Sequence, residues 1–145
     1  MEKLIQDDYF GEIKYDREYS CYCCALDCGG VKITISFIVD LDESEVLRVV
    51  EDAKKLCKNL YSWIEKAKEY AVDELLDLKN DSWLEEEEEE LTPEEFKSRM
   101  FLETISFYDD GDFDFWHNDG GLFRGHSIQL SGNLKRGFES ADIPG

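Results

Sequence analysis

Proline and histidine are scarce in this chain, two of each, and basic residues are heavily outnumbered. So few prolines leave long segments free for regular structure, and any imidazole chemistry falls to His117 and His126 alone. No apolar run approaches the roughly 20 residues that a membrane-crossing helix needs. The opening segment, MEKLIQDDYFGE, lacks the basic start and apolar stretch of a signal peptide. The five cysteines are an odd number, which argues against a disulfide framework. The expected setting is therefore the reducing cytoplasm. Neither a glycine-rich phosphate loop nor a basic aromatic patch occurs, so no cofactor is expected.

What is abundant is negative charge. Against 16 Lys and Arg stand 35 Asp and Glu, a net charge of −19. Such a field repels a phosphate backbone or an anionic lipid surface, so the expectation is no nucleic acid and no membrane. It attracts cations: a basic protein, a polyamine or a metal ion. The window from Asp73 to Glu95 holds twelve acidic residues and one basic one, Lys79, and carries more than half of the net charge. At its centre stand Glu85, Glu86, Glu87, Glu88, Glu89 and Glu90. Such a run is either a solvated segment that maintains solubility or a docking surface for a basic partner.

The apolar share of 42% in 145 residues suffices for one core, and the chain reads as a single domain over 1–145. The first forty residues read as strands: Phe10, Ile13 and Tyr15 in one, Tyr19 to Cys28 in a second. Val31, Ile33, Ile35, Phe37 and Val39 alternate along a third. Gly29-Gly30 between the last two supplies the positive φ angles of a tight hairpin. Asp42 or Ser44 then offers a helix cap, and apolar residues recur at helical spacing from Val46 to Leu78. One uninterrupted helix from Ser44 to Lys79 would be about 54 Å long. A domain of this size has a radius of gyration of only about 15 Å. The spacing therefore predicts a break near Lys58 to Leu60, with Asn59 as the C-cap of the first of two helices.

Leu91-Thr92-Pro93-Glu94-Glu95-Phe96 carries three agreeing helix-start signals: Thr92 as cap, Pro93 at the first position, Glu95 completing a capping box. This short helix is expected to end near Met100. Strands then return over Leu102 to Tyr108, Phe113 to His117 and Leu122 to Leu130. Asp110-Gly111 and Asn118 to Gly121 are turns, and Phe138 to Ile143 is a short edge strand. The whole predicts an α+β fold, a mainly antiparallel sheet whose N-terminal and C-terminal strand groups flank a central pair of helices. A core of Ile33, Ile35, Phe37, Ile105, Phe107, Phe113 and Phe115 is expected on that sheet.

Cys21, Cys23, Cys24 and Cys28 draw attention as ligands. A tetrahedral zinc site needs four converging thiolates or imidazoles, and strand alternation sends Cys21 and Cys23 one way, Cys24 and Cys28 the other. No second hook follows and Cys57 sits in a helix, so the cysteines read as core packing and no metal is expected. Asp109-Asp110-Gly111-Asp112 fails the spacing of a calcium loop and reads as a charged turn. His117 and His126 have no nucleophile in a sharp elbow beside them, and structural roles suit them better than catalysis. Gly125 beside His126 suggests a bulge or a close backbone approach.

Three segments together resemble a known group of sequences: Leu91 to Phe96, Leu102 to Phe107, and Phe115-Trp116 with Asp119-Gly120-Gly121-Leu122-Phe123-Arg124-Gly125-His126-Ser127-Ile128. They resemble a family of small bacterial proteins known only as a domain of unknown function. Phe10-Gly11 and the Gly29-Gly30 hairpin fit as well. The resemblance implies no established reaction. An aromatic residue often stands at the place of Arg124 in that family, and the cysteine cluster is not typical of it. Related small acidic bacterial domains resemble immunity proteins that neutralise toxins.

Two functional expectations follow. The first is an acidic protein-binding module, immunity-like, that masks a basic partner through Glu85 to Glu90. The alternative is a small enzyme or ligand-binding domain with a pocket at the C-terminal hairpin, around Trp116, Asp119, Arg124 and His126. Exposed convergence of those four side chains in one concavity favours the alternative, and their separation, with His126 packed beneath its neighbours, favours the first.

Overall fold

The computed structural model describes residues 4–39 and 43–144. Gly29 and Gly30 adopt φ of 60° and 89°, the pair of left-handed residues that a two-residue hairpin requires. They join β3 (Cys21–Cys28) to β4 (Val31–Phe37), with Cys28 opposite Val31. Before them come β1 (Leu4–Asp7) and β2 (Gly11–Asp16). The first strand is absent from the sequence reading. The Asp7 carboxylate holds it in place by accepting the N–H groups of Tyr9 and Phe10, each at 2.9 Å. Lys54 Nζ also lies 2.7 Å from that carboxylate.

A second meander follows the helices: β5 (Phe101–Phe107), β6 (Asp112–Asn118), β7 (Ile128–Asn133) and β8 (Gly137–Asp142). Among the described residues the eight strands form one sheet in chain order, β1 through β8. Every neighbouring pair is antiparallel except β4 and β5, which run parallel. A parallel pair cannot be closed by a hairpin and needs a crossover. Three helices provide it: α1 (Glu43–Cys57), α2 (Leu60–Ser82) and α3 (Pro93–Ser98). The fold is α+β as expected, with strand groups flanking central helices.

The helical stripe interrupts at Lys58 and Asn59, where the length argument puts it. Asn59 serves both helices: its N–H donates to the Leu56 carbonyl at 3.0 Å at the end of α1, and it also starts the next helix. Its φ is −120°, its carbonyl accepts the Trp63 N–H at 3.2 Å, and it opens α2 as a backbone N-cap. Ser44 lies inside the first turn of α1 rather than capping it, and Asp42 lies outside the described residues. The capping box of α3 forms as read: Thr92 Oγ1 accepts the Glu95 N–H at 3.2 Å, and Glu95 returns the bond to Thr92 N–H at 3.1 Å. That helix stops at Ser98, two residues early.

The core lies where the alternation places it. Ile33, Ile35, Phe37, Ile105, Phe107, Phe113 and Phe115 are all buried, in one cluster with Val46, Val49, Ala53, Leu56, Ala67, Ala71 and Leu75 from the helices. Each of the buried Ile, Phe, Val and Leu side chains contributes roughly 1.5–3 kcal/mol on burial. Ala67 and Ala71 keep that side of α2 flat, while Trp63 meets Phe113 and Phe138 edge-on at 5.3 and 5.8 Å. The opposite face of the sheet carries no helix stripe and shows hydroxyl groups, among them Thr34, Ser36, Thr104, Ser106 and Ser131.

One strand departs from expectation. Leu122 to Leu130 does not form β7, which starts only at Ile128 and runs to Asn133. Residues 122–127 stay in the connecting loop, with Leu122 and Phe123 fully buried there. Their apolar character serves packing against helix residues and not a strand ladder. A strand over Leu122 to Leu130 hairpinned at Gly120 would set His126 opposite Phe113 to Phe115, whereas His126 precedes the first paired residue, Ile128 opposite His117.

Candidate functional site: a loop junction around Trp83

The site grows from the C-terminus of α2. Last-turn carbonyls of a helix lack partners, and a nearby cation can satisfy them. Here Lys79 does so: its Nζ donates to the Trp83 carbonyl at 2.7 Å and to Glu88 Oε1 at 2.8 Å. The Lys79 side chain is wholly buried. Glu88 therefore leaves the run of six glutamates and turns inward. Its carboxylate also accepts the Glu85 N–H at 2.9 Å and lies 3.3 Å from Arg99 Nη1. The hydrogen bond from Lys79, followed by that of the Glu85 N–H, lowers its pKa to about 2. Glu88 N–H bonds back to the Glu85 carbonyl at 2.9 Å, and Glu87 takes a left-handed φ of 70° to close the turn. Glu85, Glu86, Glu87, Glu89 and Glu90 are exposed.

Arg99 extends the junction into the C-terminal meander. Its Nε and Nη2 both donate to the Gly120 carbonyl, at 3.1 and 2.9 Å. Gly120 has φ of 57°, and a Cβ there would stand 2.1 Å from the Arg99 carbonyl oxygen, so only glycine fits. Asp119 is buried and organises the loop from within. It accepts the N–H groups of Gly121 at 3.0 Å, Phe123 at 2.8 Å and Gly125 at 3.0 Å. Gly125 has positive φ, 88°, with open space around it, so the conformation and not a close approach accounts for the glycine.

This loop presents Arg124 and His126 to Trp83. Arg124 lies over the indole at 5.7 Å and its Nε is 3.4 Å from Glu85 Oε1, both side chains more than half exposed. His126 meets the same indole edge-on at 5.5 Å, and Phe123 does so at 5.5 Å from beneath. Trp116 is elsewhere. It stands on the helix-free face of β6, paired with Thr104 and Gln129, while Phe115 and His117 point to the core. Of the residues singled out in the sequence, Arg124, His126, Glu85 and Glu88 come together with Asp119 beneath them, and Trp116 does not join them. Sequence reasoning missed Trp83, Lys79 and Arg99. The one available signal was Lys79 itself, the sole cation in the acidic window.

His117 is fully buried with neither ring nitrogen in hydrogen-bond geometry. The Ile128 backbone is near enough to favour the charged ring slightly, but burial, then the charge of Lys68, lower its pKa to about 4. The cysteines follow the alternation: Cys24 and Cys28 pack toward the core with Cys57, while Cys21 and Cys23 face the other way. Burial pushes the thiols of Cys24 and Cys57 up to about 12, which suits packing and not nucleophilic use.

Two antiparallel meanders joined through a parallel seam, with a helical crossover and an acid-rich junction at one end, define an acidic α+β protein. The chain belongs to a family described as an uncharacterized protein conserved in bacteria (DUF2262), which matches residues 7–143. No curated protein and no solved structure matches it. No helix among the described residues is long and apolar enough to cross a membrane.

Proposed function

We propose that this chain is a cytoplasmic protein-binding module that masks a basic partner, in the manner of an immunity protein covering a cationic toxin. The observation that carries this reading is the architecture of the acidic loop. One glutamate of six is spent internally on Lys79 and Arg99, and that anchor holds Glu86, Glu87, Glu89 and Glu90 outward on a fixed turn. A solubility tail needs no such anchoring, whereas an electrostatic docking surface gains from being held in place. The separation of Trp116 from Arg124 and His126 supports this reading over a pocket built from all four expected residues.

The test is association kinetics with a partner co-purified from the native host, across a salt series. Glu86, Glu87, Glu89 and Glu90 are replaced together by glutamine, and Glu88 is left intact because the fold depends on it. Association of the variant should be slower and its salt dependence shallower, since the Debye length is about 8 Å at 0.15 M. Equal rates and equal salt slopes would leave the loop as a solubility device and end the proposal.

A further inference from the structure

Arg124 is the odd member of the junction around Trp83. Its backbone φ is 58°, a left-handed conformation that strains a residue bearing a Cβ, and Gly125 follows at 88°. Asp119 fixes the loop there by accepting the N–H groups of Gly121, Phe123 and Gly125, so the turn does not depend on the Arg124 side chain. That side chain instead reaches back to the end of α2, over the Trp83 indole at 5.7 Å, with its Nε 3.4 Å from Glu85 Oε1. The Arg124 and Glu85 side chains are 59% and 57% exposed, so water and salt screen the pair and leave it weakly held.

The surface that Arg124 covers is, by contrast, fixed from behind. Trp83 caps the C-terminus of α2: its N–H donates to the Lys79 carbonyl at 3.0 Å, and its own carbonyl accepts from the buried Lys79 Nζ at 2.7 Å. Phe123 and His126 meet its indole edge-on, each at 5.5 Å. Glu85 is held by Glu88, whose carboxylate accepts the Glu85 N–H and whose N–H donates to the Glu85 carbonyl, both at 2.9 Å. A stationary aromatic face beside a carboxylate is a receptor for one planar cation. A guanidinium stacks on the ring and donates to the carboxylate together, whereas an ammonium offers only a point charge. An arginine of the chain itself already occupies the place, which identifies the side chain that fits it.

We propose that Trp83 and Glu85 form an arginine subsite, which Arg124 fills in the free protein and yields to an arginine of the basic partner. The partner's guanidinium stacks on Trp83, donates to Glu85 and displaces Arg124 into water. A lone cation gains little from that exchange, because one stacked guanidinium replaces another. An arginine carried by a docked partner competes at high effective concentration, so the subsite selects a cation presented in register over free ones. The inference rests on the reading of the chain as a module for a basic partner, and names the side chain of the partner that is gripped.

Arg124→Gly empties the subsite and suits the left-handed φ, so the fold is spared. The probes are two capped tripeptides, glycine-arginine-glycine and glycine-lysine-glycine, titrated while the Trp83 indole N–H is followed by NMR. The arginine peptide should bind Arg124→Gly about fivefold more tightly than the parent, the gain from removing an occupant that fills the site about four-fifths of the time. Loss of one positive charge strengthens the binding of any cation, so the lysine peptide sets the baseline and should gain about twofold or less. Adding Glu85→Gln to Arg124→Gly should abolish most of the arginine peptide's gain. An arginine peptide that leaves the Trp83 indole unmoved in Arg124→Gly, or equal gains for the two peptides, overturns the subsite. Should association of a co-purified partner still slow when Glu86, Glu87, Glu89 and Glu90 are replaced, the subsite alone falls and the charge reading stands. An arginine-selective gain together with unchanged association in that fourfold variant upholds the subsite and sinks the charge reading.

Discussion

Six glutamates in a row are chemically identical in the sequence, yet substitution of one of them should behave unlike the rest. Glu88→Gln keeps the side-chain shape and an acceptor oxygen but removes the charge that faces Lys79 at 2.8 Å and Arg99 at 3.3 Å. The Lys79 side chain has no exposure, so its ammonium cannot turn to water. Removing one member of a buried pair commonly costs about 3–5 kcal/mol, because the other charge stays buried and uncompensated. The Trp83 carbonyl still accepts from Lys79, which places the expected loss near the lower end, about 3 kcal/mol. Against a total stability of roughly 5–15 kcal/mol that is a large fraction. For a chain of this length it corresponds to a fall in melting temperature on the order of 10 °C. Glu86→Gln, Glu87→Gln, Glu89→Gln and Glu90→Gln should each stay within about 0.5 kcal/mol of the parent. Adding Lys79→Met to Glu88→Gln removes both charges and should recover most of the loss. The assay is urea unfolding of all six variants at pH 7 and one ionic strength. A Glu88→Gln variant indistinguishable from Glu86→Gln, or a double variant no better than the single, refutes the assignment of Glu88 as the structural member of the run.

The remaining predictions concern buried groups. His117 takes up a proton near pH 4 when folded but near 6.5 when unfolded, so the unfolded chain binds more protons between those values and stability falls as pH drops from 6.5 to 4. The full window amounts to roughly 3 kcal/mol, and His117→Leu should show a correspondingly shallower loss between pH 6.5 and 5 in urea titrations. An identical slope for parent and variant would mean that the buried ring is not the group responsible. Glu88 acts at lower pH: its folded value of about 2 lies below the ordinary 4.5, so its contribution is present above pH 4.5 and is lost as pH falls toward 2. Urea titrations should therefore show a shallower loss of stability between pH 4.5 and 2 in Lys79→Met, which removes the chief cause of that shift, and an unchanged slope would contradict the assignment. Gly120→Ala forces a methyl group into the Arg99 carbonyl and should destabilise by about 3 kcal/mol or more, whereas Gly125→Ala meets open space and should cost only the backbone strain, about 1 kcal/mol. Equal melting temperatures for these two glycine variants would contradict the close approach. Thiol-reagent kinetics at pH 8 should find Cys57 much slower than a free thiol, and a fast reaction there would show that α1 does not shield it.

Much of the fold was legible because the signals that specify it are short-range. Gly29-Gly30 encodes a two-residue hairpin through its own φ preferences, and Thr92-Pro93-Glu94-Glu95 encodes a helix start through bonds spanning three residues. The alternation from Val31 to Phe37 and the stripe from Val46 to Leu78 report which faces are buried, whatever lies opposite. The same local logic misplaced β7, since the apolar pair Leu122-Phe123 reads as strand when only its neighbours in sequence are considered. It also missed β1, whose Asp7 turn depends partly on Lys54, far away in α1.

By itself the sequence determined the α+β class, the hairpins, the helix break, the core face and the concentration of charge, because each follows from residues a few positions apart or from composition. Only the tertiary structure decided which glutamate turns inward, since six identical residues differ solely in what approaches them from α2 and α3. It alone brought Trp83, Arg124, His126 and Glu85 to one junction while leaving Trp116 on the other face of the sheet. It alone began the β4–β5 pairing at Thr34 opposite Thr104. Pairing across a helical crossover of more than sixty residues is set by how the helices pack, and no local pattern in either strand records where that pairing begins.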